Sequence, residues 1–206
     1  LVELSIVLVI IGLLISGLLV GQSMIKVAKN QALVKQLQQY DILFRNFKEV
    51  YRYFPGDLPN ATDYFGAVVG SCMTVAGTGT QSCDGNGDGN LGYDSGHEPV
   101  RSWEHLQNAD MLNTDYTGAA YGLYSGTHAL YTAGVTAPSS EHDSSSVISI
   151  LYMLDSYTWA GTTTRHTYSI GDPQNTNNPG WAGRWHGMGF TPQEALALDV
   201  KLDDGM

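Results

Sequence analysis

From Leu4 to Gly21 the chain carries no charged residue, and nearly every position is apolar. A run of about 18 or more such residues is long enough to cross a bilayer as one helix. Past Gly21 the pattern changes from uniform to striped. Leu33, Leu37, Tyr40, Phe44, Phe47 and Tyr51 are separated by alternating steps of four and three, which puts them on one face of a continuous helix. Lys26, Lys29, Lys35, Gln38, Arg45, Lys48 and Arg52 supply much of the polar surface. Pro55 disfavours helical backbone in the residue before it, so the helix is expected to end by residue 54. A helix of about 50 residues is roughly 75 Å long at 1.5 Å per residue. The remaining chain, about 150 residues, makes a head too small to cover that length. The first half of the helix must therefore be buried in lipid or against copies of itself.

The rest of the chain reads as a mixed domain. Pro55-Gly56-Asp57 and Pro59-Asn60 mark turns at the helix exit, and Tyr53, Phe54, Tyr64 and Phe65 are expected to pin this connector to the head. Val100, Trp103, Leu106 or Gln107, and Met111 or Leu112 trace a rough helical face, with Pro99 suited to a first turn. Short β-like runs follow at Ala119–Ser125, Thr127–Ala133, Val147–Leu154 and Thr164–Ile170, the third being the strongest candidate for a core strand. The polar segments 134–146 and 171–182 are expected at the surface. Thr191-Pro192-Gln193-Glu194 combines a capping box with proline at the first helical position, so a short helix is expected over 192–201. The expected fold class is α+β. Residues 1–54 form a long N-terminal helix, with 1–22 its hydrophobic part, and residues 55–206 form a β-rich globular head.

Glu3 is the odd member of the apolar opening. A carboxylate deep in a helix in lipid costs roughly 2.5–3.5 kcal/mol on insertion scales, which makes it a functional candidate. A cleaved signal peptide would begin with a basic region, but no basic residue precedes Lys26. A plain single-pass anchor leaves Glu3 unexplained. A segment that starts in lipid and then enters a protein assembly, where Glu3 meets a positive partner, accounts for both features. Gly12, Gly17 and Gly21 punctuate the run, each weakening a helix by roughly 1 kcal/mol relative to Ala. They either allow close helix packing or mark a place that unwinds on leaving lipid.

The sequence Leu1-Val2-Glu3-Leu4-Ser5-Ile6-Val7-Leu8-Val9-Ile10-Ile11-Gly12-Leu13-Leu14 resembles the prepilin N-terminal motif of type IV pilins and type II secretion pseudopilins. The Phe54-Pro55-Gly56-Asp57 segment also looks like one subgroup of prepilin-type proteins. In that family the mature chain usually begins with Phe and Thr before the residue matching Leu1, so the resemblance implies chain before Leu1. More chain is also expected after the abrupt Asp203-Asp204-Gly205-Met206 end. The resemblance implies that Glu3 pairs with the N-terminal amine of a neighbouring subunit, and that part of the segment from Gly12 to Gly21 becomes extended on assembly. It also implies an inner-membrane location before assembly, dedicated assembly machinery, and a cell-surface or extracellular filament as the final place.

Charge sharpens this picture. The net charge is −10, yet residues 1–54 hold six Lys and Arg against three Asp and Glu, while residues 55–206 hold four against seventeen. So acidic a head argues against nucleic acid as a partner, since phosphate binding needs basic patches. Cys72 and Cys83 are the only cysteines; outside the cytoplasm a disulfide is the natural pairing, worth about 3 kcal/mol for so short a loop, with two free thiols as the alternative.

Asp84-Gly85-Asn86-Gly87-Asp88-Gly89 matches the opening of an EF-hand-type calcium loop within residues 84–98. Asp84, Asn86 and Asp88 would bring side-chain oxygens around one hard cation, Gly89 the sharp turn, and Asn90 a carbonyl. Ser95 stands at the closing position, so Asp94 or Glu98 must complete the set. An ordinary Asp/Gly/Asn surface loop is the alternative. Asp199-Val200-Lys201-Leu202-Asp203-Asp204 is a second acidic cluster, better explained as surface than as a second cation site. The six histidines are scattered without zinc spacing, and no nucleophile elbow or P-loop occurs, so no enzymatic activity is expected. The expected function is structural: a pilin-like subunit that polymerises with itself. The alternatives are a type II secretion pseudopilin and a monomeric, membrane-anchored calcium-binding or adhesive protein.

Overall fold

The computed structural model describes residues 2–68, 81–92, 98–118, 121–124, 128–130, 132–153, 165–171 and 189–202. One helix, α1 (Val2–Tyr51), runs through all three glycines of the apolar segment without a break. Its two halves have different surroundings. From Val2 to Lys29 every residue except the half-buried Gly21 is exposed. From Asn30 onward the predicted stripe turns inward: Leu33, Leu37, Phe44 and Phe47 are buried, and Tyr40 and Tyr51 are packed against the same core. The helix stops three residues before the sequence limit. Arg52 adopts a left-handed conformation (φ 69°), and its N–H closes the last turn on the Lys48 carbonyl at 2.9 Å. Phe54 is then free to fold back beneath the Lys48 ammonium, 3.8 Å from its ring centroid.

Beyond the exit come α2 (Ala61–Phe65), α3 (Glu98–Asn108), β1 (Tyr121–Tyr124), β2 (His128–Leu130), β3 (Val147–Met153), β4 (Arg165–Gly171) and α4 (Pro192–Leu202). The helix α3 is the centre of the head. Val100, Trp103 and Leu106 are fully buried, as the sequence pattern required. Trp103 makes T-shaped contacts with Tyr40 and Phe44 of α1, with ring centroids 4.9 and 5.4 Å away. Such pairs add roughly 0.5–1.5 kcal/mol each beyond their area. However, α3 is not amphipathic in its setting: Arg101, Glu104 and His105 are as buried as its apolar residues. Nothing in the apolar spacing foretold that.

The four strands fall where β-like runs were expected. They form two separate antiparallel pairs, β1 with β2 and β3 with β4. In the longer pair Val147 lies opposite Gly171 and Met153 opposite Arg165. Val147, Ile148 and Ile150 carry β3 into the core. The expectation of a β-rich head is met only as a mixed α+β arrangement, because the described sheets are small and α3, not a sheet, centres the core.

Segment 134–146 departs from expectation. It is not a surface loop throughout: Thr136, Ala137, Ser140 and Ser146 are buried. Gln36 of α1 secures it, donating Nε2 to the Ser139 carbonyl at 2.8 Å and accepting the Glu141 N–H on Oε1 at 2.9 Å. Polar composition therefore marked hydrogen bonding to α1, not solvation. Most of 171–182 lies outside the described residues. The capping box forms as read, with Thr191 N–H and Oγ1 donating to Glu194 Oε2 at 3.0 and 2.8 Å. It starts α4, which lies on α1 through buried Leu198.

Candidate functional site

Two places collect the residues singled out by sequence. The first is the bare half of α1. Glu3 lies in its first turn, and Gly12, Gly17 and Gly21 face open space, with no atom near where a side chain would begin. The helix is long and apolar enough to cross a membrane, as an anchor or a signal sequence would. Seventeen large apolar side chains between Val2 and Val27 are 46% to 71% exposed. At about 1.5–3 kcal/mol per side chain fully buried, covering them is worth on the order of 20 kcal/mol.

The second place is the junction where α1 enters the head. Gly56 has φ 92°, and a Cβ there would run into the Glu98 carbonyl, so only glycine lets the exit cross the start of α3. The Gly56 N–H donates to His105 Nδ1 at 2.9 Å, and His105 Nε2 lies 3.2 Å from the Cys83 carbonyl. This arrangement requires a neutral ring with its proton on Nε2. Complete burial pulls the His105 pKa down to about 4. Beside it Arg101 and Glu104 form a buried ion pair, and burial pushes the Glu104 carboxyl up to about 7 against the pull of Arg101. Cys83 is disulfide-bonded. The chain's other cysteine, Cys72, lies outside the described residues.

The loop 84–92 wraps this exit. Gly85 and Gly87 donate backbone N–H groups to the Leu58 and Asp57 carbonyls at 2.8 and 3.1 Å. Asn86 Oδ1 accepts the Asp88 N–H at 2.8 Å, and Asp88 Oδ1 accepts the Asn90 N–H at 2.7 Å, winding the loop on itself. Glu98, nearly fully buried, accepts Asn86 N–H on Oε1 and Gly92 N–H on Oε2, both at 3.1 Å. Leu91 is pinned from the other side by His166 Nε2, which accepts its N–H at 3.2 Å.

Of the six residues expected to hold a cation, Asn86, Asp88 and Asn90 lie in this loop, and Glu98, at the start of α3, binds it through two backbone N–H groups. Asp94 lies outside the described residues. Asp84 accepts the Thr62 N–H at 2.8 Å and Thr62 Oγ1 at 3.1 Å. Among the described residues no group of three or more His, Cys, Asp or Glu side chains stands close enough to hold a metal by itself.

The sequence reading missed Asp57. Its Oδ2 accepts the N–H of Gly89, the sharp-turn glycine, at 3.0 Å, and the residue has no exposed surface. Burial raises its pKa, the Asp88 carboxylate adds to the rise, and the N–H groups of Gly87, Asp88 and Gly89 oppose it. The Pro-Gly-Asp segment reads as a turn, and nothing in its spacing links Asp57 to Gly89.

Comparison of the chain with known protein families, curated proteins and solved structures finds no match.

Proposed function

We propose that the chain is a structural subunit of a type IV pilus-type filament, stored in a membrane and polymerised through α1. The observation that carries this is the division of one unbroken helix. Residues 30–51 are built into the core of the head, while residues 2–29 project with their apolar side chains uncovered. A signal sequence is removed and has no reason to be continuous with a core helix. A mere anchor has no reason to carry Glu3 at its end. A helix bundle made from many copies covers the apolar surface and gives Glu3 a cationic partner. The prepilin-like motif at Leu1–Leu14 supports the same assignment. Loop 84–98 is proposed to take calcium as a brace for the head, a role outside the polymerisation itself.

Glu3→Ala tests the proposal. Membrane insertion should persist, since removing a charge favours lipid, while the yield of sheared surface filaments, seen by negative stain with an antibody to this chain, should fall steeply. Normal filament yield in that variant would remove Glu3 from assembly. Fibres from the parent only on overexpression would point to a secretion pseudopilus, and no fibres to a monomeric anchor.

A further inference from the structure

The geometry points to a divalent-cation site at the junction whose first ligand is Asp57, not Asp84, completed by Asn86, Asp88, the Asn90 carbonyl and Glu98. The assignment rests on the reading of loop 84–98 as a calcium loop and is independent of whether the subunit polymerises.

In a D-x-N-x-D-G loop the oxygens at the first, third and fifth positions converge on one side of the backbone arc. The residue at the first position, Asp84, directs both oxygens to Thr62 of α2, which tethers it outside the loop. Asp57 enters the arc in its place. One of its oxygens is fixed by the N–H of Gly89. The other, Oδ1, is buried and has no hydrogen-bond partner. The N–H groups of Gly87 and Asp88 face the carboxylate without closing a hydrogen bond on Oδ1, and a buried carboxylate oxygen left so is destabilising unless a positive group meets it. No Lys or Arg forms a salt bridge with Asp57 or Asp88 among the described residues. A cation between the two carboxylates would supply the missing partner and relieve their mutual repulsion.

The remaining donors are oriented by bonds that leave capacity to spare. Asn86 Oδ1 and Asp88 Oδ1 each use one lone pair on the loop backbone, and Asp88 has a second oxygen. Glu98 bridges both arms of the loop and stands at the start of α3. The carboxylates alone are too few and too spread to make the site, so amide and carbonyl oxygens complete it. A donor set of oxygen alone with mixed carboxylate and carbonyl character suits calcium; zinc prefers nitrogen and sulfur, and magnesium demands a tighter octahedron. With Asp57 as ligand, the ion would join the helix exit to α3 directly.

Calorimetric titration of the full chain in detergent micelles with calcium chloride tests this. The parent should bind at about 10⁻⁴–10⁻³ M, the usual range of extracellular modules. Asp57→Asn keeps an acceptor for Gly89 but should weaken binding about tenfold or more, whereas Asp84→Asn should change it less than about threefold. Calcium should also slow amide hydrogen exchange in the parent at residues 56–59 as well as 84–92, a readout that needs no variant. Absence of calcium heat in the parent would overturn both the calcium loop and this site. Parent-like binding by Asp57→Asn, loss of binding by a folded Asp84→Asn, or protection confined to 84–92 would overturn the assignment of Asp57 alone.

Discussion

His105 makes the stability of the head depend on pH, in a direction fixed by its surroundings. In the unfolded chain the ring takes a proton near pH 6.5; in the folded head, burial delays this to about 4. Between those values the unfolded chain binds a proton that the folded one refuses. Stability from this group is therefore fully present above 6.5, falls as the pH drops, and stops falling below about 4. At 1.36 kcal/mol per pH unit the loss is about 3 kcal/mol. Glu104 works the other way. Its carboxyl is pushed up from 4.5 to about 7, so its contribution is present below 4.5 and lost as the pH rises towards 7. The two slopes oppose each other between 4.5 and 6.5, and the parent should show little net dependence from the pair there.

Single variants separate them. His105→Asn retains an acceptor for the Gly56 N–H but does not titrate. Urea unfolding of the unreduced chain in nonionic micelles, without added divalent cations, gives the stability of parent and variant at each pH. The advantage of the parent over His105→Asn should shrink by about 3 kcal/mol from pH 7 to pH 4. The advantage of the parent over Glu104→Gln should instead shrink as the pH rises from 4.5 to 7. A parent-minus-His105→Asn difference that stays flat from pH 7 to pH 4 refutes the neutral, buried imidazole and the bond network drawn around it.

Phe47→Ala should cost about 3–5 kcal/mol, because a fully buried ring stacked on Tyr51 at 4.4 Å leaves a cavity where α1 meets the head; the fall in thermal midpoint measures it. Thr191→Ala should cost about 1 kcal/mol locally by removing the cap of α4. Faster exchange of the Glu194 and Ala195 amides should register it, with the melting of the core unchanged, since only Leu198 of that helix is buried.

The apolar positions of this fold were legible because their spacing is a property of the backbone. The stripe from Leu33 to Tyr51 and the run at Val147 could face only one way each, and Thr191–Glu194 is a local capping device complete within four residues. What escaped was decided by neighbours distant in sequence. His105 receives its partners from residues 56 and 83, and Asp57 meets Gly89, 32 positions away. Arg101, Glu104 and His105 look like the polar face of a surface helix until the chain at 56 and 83 and the aromatic rings of α1 close over them. The calcium-like motif is legible as a pattern of oxygens at alternate positions, but its spacing could not show that Asp84 bonds to Thr62, which lies outside the motif.

The junction also determines how a load on α1 would reach the head. Burying the exposed side chains of the apolar half is worth on the order of 20 kcal/mol in gross transfer free energy, whereas the head holds α1 through a few defined contacts. A pull along the helix would then be resisted at its inner end. There Phe44 and Phe47 lie against Trp103 and His105, while the exit is fixed separately by Gly56 on His105 and by Asp57 on Gly89. Aromatic packing resists sliding of the helix across α3, and the exit bonds resist peeling of the chain beyond it. Since α3 takes part in both, the two modes cannot yield independently: displacing the helix loads His105, and freeing His105 uncovers the rings that hold the helix.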